Sequence, residues 1–260
     1  CTMDMLWQPT DPVLGYLPEG PMESVDGRIS WVAIQHGLDE TSGSLNLLDP
    51  ASGTNQSIPL PGRPGFAFPT DEPNVFLAGV ERQIISVDVE TGHCEVLSEE
   101  VDAGVENTII NDGIAIEEGL IFGCKDLEFQ QHKAGLYFWR KADRALFQLR
   151  DDQLCSNGKV VERDGNGWLL WDIDSPTRSV VRYRLDLGSC ALSEPELILD
   201  LTHLEMFPDG MVLAAEGEGV VIAFYNPNDV EAGQVQQYSL LTGEHQATWL
   251  VPGSPQVTCP

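Results

Sequence analysis

Four short motifs in this sequence set an oxygen-bearing side chain beside a turn-forming glycine. They are Glu19-Gly20-Pro21, Asn111-Asp112-Gly113, Ser156-Asn157-Gly158 and Pro208-Asp209-Gly210. After each comes the same grammar of strand, tight turn and second strand. Carboxylate and amide oxygens are hard donors, suited to Ca²⁺, Mg²⁺, Mn²⁺ or a borderline Zn²⁺. A single Asn-Gly or Asp-Gly is also the commonest of turn dipeptides. One copy therefore marks only a turn, whereas four copies in step with a repeat point to a site.

Other chemistries leave no trace. The chain has no GxSxG nucleophile elbow, no Walker A loop, no GxGxxG and no HExxH. Gly165-Asn-Gly167 and Gly217-Glu-Gly219 lack a third glycine and read as hairpin turns. His36, His93, His132, His203 and His245 stand far apart without ligand spacing. Serine-type hydrolysis and a histidine zinc site are disfavoured.

The elements that must position the four motifs are strands. Twenty-five glycines and 17 prolines interrupt the chain every eight to twelve residues, and short apolar or alternating runs lie between them. Such runs include 28–34, 44–48, 83–87, 119–122, 135–139, 167–171, 179–185, 220–225 and 234–240. A turn of the form Asp-x-x-Ser/Thr-Gly recurs at Asp49, Asp88 and, degenerately, Asp186, with equivalents at Asp143 and around Leu241. These points are 39, 55, 43 and 55 residues apart. Asp caps such a turn and Gly supplies its positive φ. A four-stranded unit of this length is a propeller blade. The expectation is an all-β, six-bladed β-propeller forming one domain over residues 1–260, with the last blade short of strands at the C-terminus. If the motif-bearing strands are innermost, the four side chains share one mouth of the central channel.

Composition bounds the partners. Forty-one acidic against 14 basic residues leave a formal charge of −27. That field repels nucleic acid and anionic lipid and suits cations, although much of it could be a solubility surface for a salty cell interior. No run approaches the roughly 18 apolar residues of a membrane helix. The start, CTMDMLWQPTDP, has neither a basic region nor an apolar stretch and reads as a trimmed beginning at Cys1. Cys94, Cys124, Cys155, Cys190 and Cys259 are scattered with no CxxC pair. Reduced, mostly buried thiols and a cytoplasmic location are expected, with the protein acting as a monomer.

In these residues the chain resembles the regucalcin, gluconolactonase and luciferin-regenerating enzyme family. The segments that carry the likeness are EGP, GRISWVAI, NDGIAIEEGLIFG, GLYFWR, SNGKVVERDGNGWLLWDIDSPTRSVVRYRLD and FPDGMVLAAEGEGVVIAFYNP, from about Glu19 to Cys259. The resemblance implies a six-bladed propeller with one divalent cation in its channel, and hydrolysis of small lactones. Position by position, Glu19, Asn157 and Asp209 resemble the metal ligands. Asn111 resembles a substrate contact, with Asp112 beside it as an auxiliary polar group. A bound cation would polarise a lactone carbonyl and acidify a water, and Asp209 would take the proton. The alternative within the same family is a non-catalytic calcium- or metal-binding propeller. A protein-interaction platform is the third class, which the fold alone would permit.

Three departures qualify the likeness. Sugar-lactone members often carry an arginine two residues before the motif Asn, where this chain has Ile109. Ala33 replaces an aspartate usual after the first inner strand, and the segment that follows the Thr-Cys pair is absent. Glu117-Glu118 and Glu216 to Glu218 read as solvated turns. Trp139, Trp168 and Trp171 read as inter-blade packing. Residues 125–133 (KDLEFQQHK) read as either a lid over the channel or a plain connection, with Glu128 and His132 as its polar candidates.

Overall fold

The apolar runs are too short for helices, and each closes against its neighbour as a strand. The computed structural model describes residues 5–24, 26–215, 217 and 219–260. The readings made for Cys1, Glu216 and Glu218 lie outside them. Among these described residues, twenty-one strands and two short 3-10 turns make up the regular structure.

The strands form five antiparallel sheets laid out in chain order. Blade one is β1 (Pro18–Glu23), β2 (Ile29–Ala33), β3 (Ser44–Asp49) and β4 (Thr54–Pro59). Blade two is β5 (Pro64–Pro69), β6 (Val75–Val80), β7 (Gln83–Asp88) and β8 (Cys94–Val96). Blade three is β9 (Thr108–Ile116), β10 (Gly119–Asp126), β11 (Ala134–Arg140) and β12 (Ala145–Gln153). Blade four is β13 (Ser156–Asp164), β14 (Gly167–Asp174) and β15 (Ser179–Asp186), whose outer edge pairs with both β16 (Ala191–Leu192) and β17 (Glu196–Asp200). Blade five is β18 (Phe207–Leu213), β19 (Gly219–Tyr225), β20 (Ala232–Ser239) and β21 (His245–Pro252).

The expected runs coincide chiefly with the second and third strands of each blade, which are apolar on both faces. β10 shows why: all eight residues are buried. Leu120 and Phe122 face one neighbouring blade, while Ile121 between them faces the other. The five recurring turns fall on the third-to-fourth-strand hairpin of the five blades. The Asp49 carboxylate accepts from Ala51 N at 2.9 Å and that of Asp88 from Glu90 N at 2.9 Å. In blade five Ser239 Oγ takes this role, accepting from Leu241 N and Thr242 N at 3.2 Å.

Four apolar clusters fill the seams between successive blades. Trp139 and Trp171 lie buried within them and Trp168 packs against one, as expected. Among the described residues no cluster joins blade five to blade one. Instead the last residues of the chain run between them. Asn226 N donates to Pro255 O at 3.2 Å, Gly210 N to Thr258 O at 2.8 Å, and the Thr258 hydroxyl to Pro18 O at 2.7 Å. The fold is an all-β propeller in which five blades are formed, and residues 255–260 run between the fifth and the first.

Candidate functional site

Every innermost strand breaks register at its motif. In β1, Glu19 faces Val32 and Met22 faces Ser30, so Gly20 and Pro21 together oppose Trp31. In β9, Asn111 is the extra residue between the Ile110–Cys124 and Asp112–Gly123 pairs. Gly158 is extra in β13, and Asp209 with Gly210 opposes Ala223 alone in β18. A bulge bends a strand and re-aims one side chain, so the sequence grammar of the motifs is a row of bulges. Blade two has its bulge at Gly65 and brings no polar side chain. The bulges also let blades touch. A Cβ on Gly158 would lie 2.6 Å from Asp209 O, and one on Gly210 would lie 2.7 Å from Thr258 O.

The motif residues gather at one mouth of the arc. Asn111 Nδ2 donates to Asn157 Oδ1 at 3.0 Å and to Ser156 O at 2.8 Å. Asn157 Nδ2 donates to Ser175 Oγ at 2.7 Å, and Ser175 Oγ to Pro208 O at 2.6 Å. That chain carries the connection from β9 through β13 to β18, beside Asp209. Both amide hydrogens of Asn111 are committed, which leaves its Oδ1 as the group that can meet a ligand.

The carboxyls behave unlike surface acids. Burial, then the charges of Asp209 and Asp112, push Glu19 well above the ordinary carboxylate range, while Lys125 and the Thr258 hydroxyl pull it back. Burial and the charge of Asp112 raise Asp209 likewise. Burial raises Asp112 against the pull of Lys159 and of the Gly113 amide, which donates to its Oδ1 at 2.7 Å. Among the described residues neither Glu19 nor Asp209 has an ion-pair partner. Among them, too, no three His, Cys, Asp or Glu side chains cluster closely enough to hold a metal by themselves. The donor set is thus two carboxylates and an amide. Like-charged carboxylates without a cationic partner are what a cation relieves. Asn157 Oδ1 keeps a lone pair beyond the one used by Asn111. Glu19, Asn157 and Asp209 therefore fit a divalent cation.

Four supporting side chains went unread in the sequence. Lys159 is fully enclosed; its Nζ donates to Asn157 O at 2.6 Å and Ser156 Oγ at 2.8 Å and lies 3.1 Å from Asp172 Oδ1. Burial lifts Asp172 to about 6 despite that ion pair. Ser175 orients the Asn157 amide, and Thr258 braces Pro18 beside Glu19. Lys125 is the fourth. The 125–133 stretch turns on Asp126, whose carboxylate accepts from Glu128 N, Gln130 N and Gln131 N and lies 3.1 Å from Lys133 Nζ. Glu118 is more than a solvated turn: it accepts from Trp168 Nε1 at 2.9 Å and pairs with Arg163 across blades.

A propeller whose inner bulges aim buried carboxylates and amides into one channel mouth is a recognisable class of protein. The chain belongs to the SMP-30/Gluconolactonase/LRE-like family, whose profile it matches over residues 17–260. It is 27% identical over 210 residues to the candidate sugar lactone lactonase YvrE of Bacillus subtilis, a match covering 76% of this chain and 65% of that protein. It is 30% identical over 150 residues to an uncharacterized protein of Sulfolobus acidocaldarius, covering 55% of this chain and 53% of the relative. The chain thus spans less than two thirds of the length of both relatives. Among solved structures it resembles regucalcin of Agrobacterium tumefaciens, described as a calcium-binding protein, with a TM-score of 0.78 and 25% identity over 96% of this chain and 78% of that one. A luciferin-regenerating enzyme superposes with the same TM-score at 21% identity, over 93% of this chain and 78% of that one.

Proposed function

We propose that the protein is a divalent-cation-dependent hydrolase that opens small lactones, working in the cytoplasm as a monomer. The carrying observation is the pair of like-charged carboxylates Glu19 and Asp209, neither with an ion-pair partner among the described residues, at the end of the hydrogen-bonded chain that runs through the Asn157 amide. Family membership and the likeness to YvrE support the same reading. The cation would sit between Glu19, Asn157 and Asp209, where it would supply Lewis acidity to the lactone carbonyl and to a water. Asp209 would accept a proton as the water attacks, the task of a general base beside the reacting centre. Asn111 Oδ1 receives a ring hydroxyl, and Asp112 lies beside it. Lys159 and Ser175 hold the Asn157 amide in its orientation. The single domain and the sixth blade belong to this proposal as well. The hydrogen bonds of Thr258 to both β18 and β1 support a sixth blade between them. Among the described residues the five cysteines are unpaired, three of them buried, which supports the reducing compartment.

The test is hydrolysis of a panel of aliphatic and sugar lactones by metal-stripped protein, with each cation added back. Turnover is expected only with metal. Asp209→Ala is expected to lose about 10³-fold in kcat/KM while its circular dichroism stays native. Tight metal binding without turnover on any lactone would instead favour a metal-binding propeller of the kind the regucalcin likeness suggests.

A further inference from the structure

Lys125 is the penultimate residue of β10, and the roles above use its charge but no direct contact of its Nζ. Its side chain is nearly enclosed, at 8% exposure. Among the described residues its Nζ makes no hydrogen bond and no ion pair within 4.0 Å; its one close aromatic neighbour is Phe129, 6.0 Å away at the ring centroid. The Nζ is not among the sealed, unpartnered polar atoms, so it keeps some contact with solvent. A buried ammonium without a counter-ion is costly unless a partner arrives.

Its place in the register says what partner. Lys125 lies directly opposite Ile109 in the β9–β10 ladder and bridges to Cys155 on the next blade. Cross-strand partners share a face. The apolar Ile109 and the cationic Lys125 therefore stand together at one wall of the mouth. Glu19 and Asp209 are near enough for the Lys125 charge to act on both, but neither closes an ion pair with it.

We propose that Lys125 is the specificity-determining residue of this channel, its ammonium receiving a carboxylate carried on the lactone, so that acidic lactones are preferred over neutral ones. This rests on the lactonase reading. Ile109 offers no donor to a neutral sugar's hydroxyls, whereas the Lys125 point charge rewards an anion. The carboxylate makes a charge-assisted hydrogen bond with Nζ, and no bond of the substrate's acidic arm is broken.

The experiment compares D-saccharic acid 1,4-lactone, which carries a free carboxylate, with neutral D-galactono-1,4-lactone of the same ring size. Wild type, Lys125→Met and Lys125→Arg are assayed with cation present, and binding of D-glucarate against D-gluconate is measured by calorimetry on the same samples. Wild type is expected to favour the acidic lactone by about tenfold or more in kcat/KM, mostly through KM. Lys125→Met is expected to erase that ratio and to weaken D-glucarate about tenfold, and Lys125→Arg to keep both preferences. An unchanged ratio in Lys125→Met overturns the proposal, as does equal handling of the two lactones by wild type. Should no lactone turn over, the lactonase reading fails on its own. The calorimetry then decides the role of Lys125, which is overturned if D-glucarate binds wild type and Lys125→Met alike.

Discussion

Two rings of acidic residues run through this molecule, and they obey opposite electrostatics. The outer ring comprises Asp49, Asp88 and Asp186 on the hairpins that close the blades. Each lies at the surface, half-buried or exposed, each accepts hydrogen bonds from the hydroxyls and amides of its own turn, and those bonds hold its carboxyl below the ordinary range. The inner ring comprises Glu19, Asp112 and Asp209 on the bulges. Asp209 is buried and the other two are half-buried among neighbours that desolvate them; they are short of donors, and their carboxyls are pushed up. Both rings repeat with the blades. An acid that satisfies itself locally builds the fold, and one left unsatisfied by the fold is held for a ligand.

The largest expected effect falls on the scaffold of the inner ring. Lys159→Met leaves Asp172 enclosed without its cation and frees the Asn157 carbonyl. Removing one partner of such a pair costs roughly 3–5 kcal/mol, measurable by urea denaturation. A loss under about 1 kcal/mol would show that the pair is not the support described here.

Next comes the pH response of the metal-free protein. Asp209 has a folded pKa above its unfolded value, so the folded state holds a proton the unfolded chain gives up. Its ionisation therefore subtracts stability as pH rises from the unfolded carboxylate value near 4. Asp209→Asn removes that penalty. At pH 7 the metal-free variant should melt about 2–4 °C above wild type, equivalent to about 1 kcal/mol in a domain of this size, and the difference should vanish near pH 4. Added cation should reverse the order, since only wild type gains from binding. An Asn variant that melts lower at every pH would mean Asp209 is satisfied within the protein after all.

The smallest effect belongs to the outer ring and has the opposite sign. The Asp88 carboxyl is lowered, so its contribution is present above the ordinary carboxylate pKa and fades as pH falls below it. Asp88→Ala should reduce thermal stability slightly at neutral pH, less in acid, and leave lactone turnover untouched. Loss of turnover in that variant would dissolve the distinction between the rings.

Much of this was legible in the sequence. The outer turns are, because an aspartate, a hydroxyl and a glycine within five residues complete their own hydrogen bonds wherever the chain goes. The inner motifs are legible as a repeated grammar, and all five named residues, Glu19, Asn111, Asp112, Asn157 and Asp209, come to one mouth. Two of the inner strands, β1 and β5, give no strand signal in the sequence, since proline, glycine and polar residues interrupt their alternation. Lys125, Lys159, Ser175 and Thr258 gave no signal either. Their meaning depends on partners such as Asn157, Pro208 and Pro18, which are close in space for reasons of register and not of spacing.

Sequence by itself determined the blade: its period, its turn chemistry, its apolar middle strands and its oxygen-bearing inner ends. Those are short-range properties, set within a dozen residues by hydrogen bonding and backbone sterics. Only the tertiary structure decided that five blades form with the last residues running between the fifth and the first. It alone set Glu19 within electrostatic reach of Asp209, and Lys125 opposite Ile109. Distances of that kind arise from packing blade on blade, and a charge acquires its energy from the dielectric and the neighbours that packing supplies.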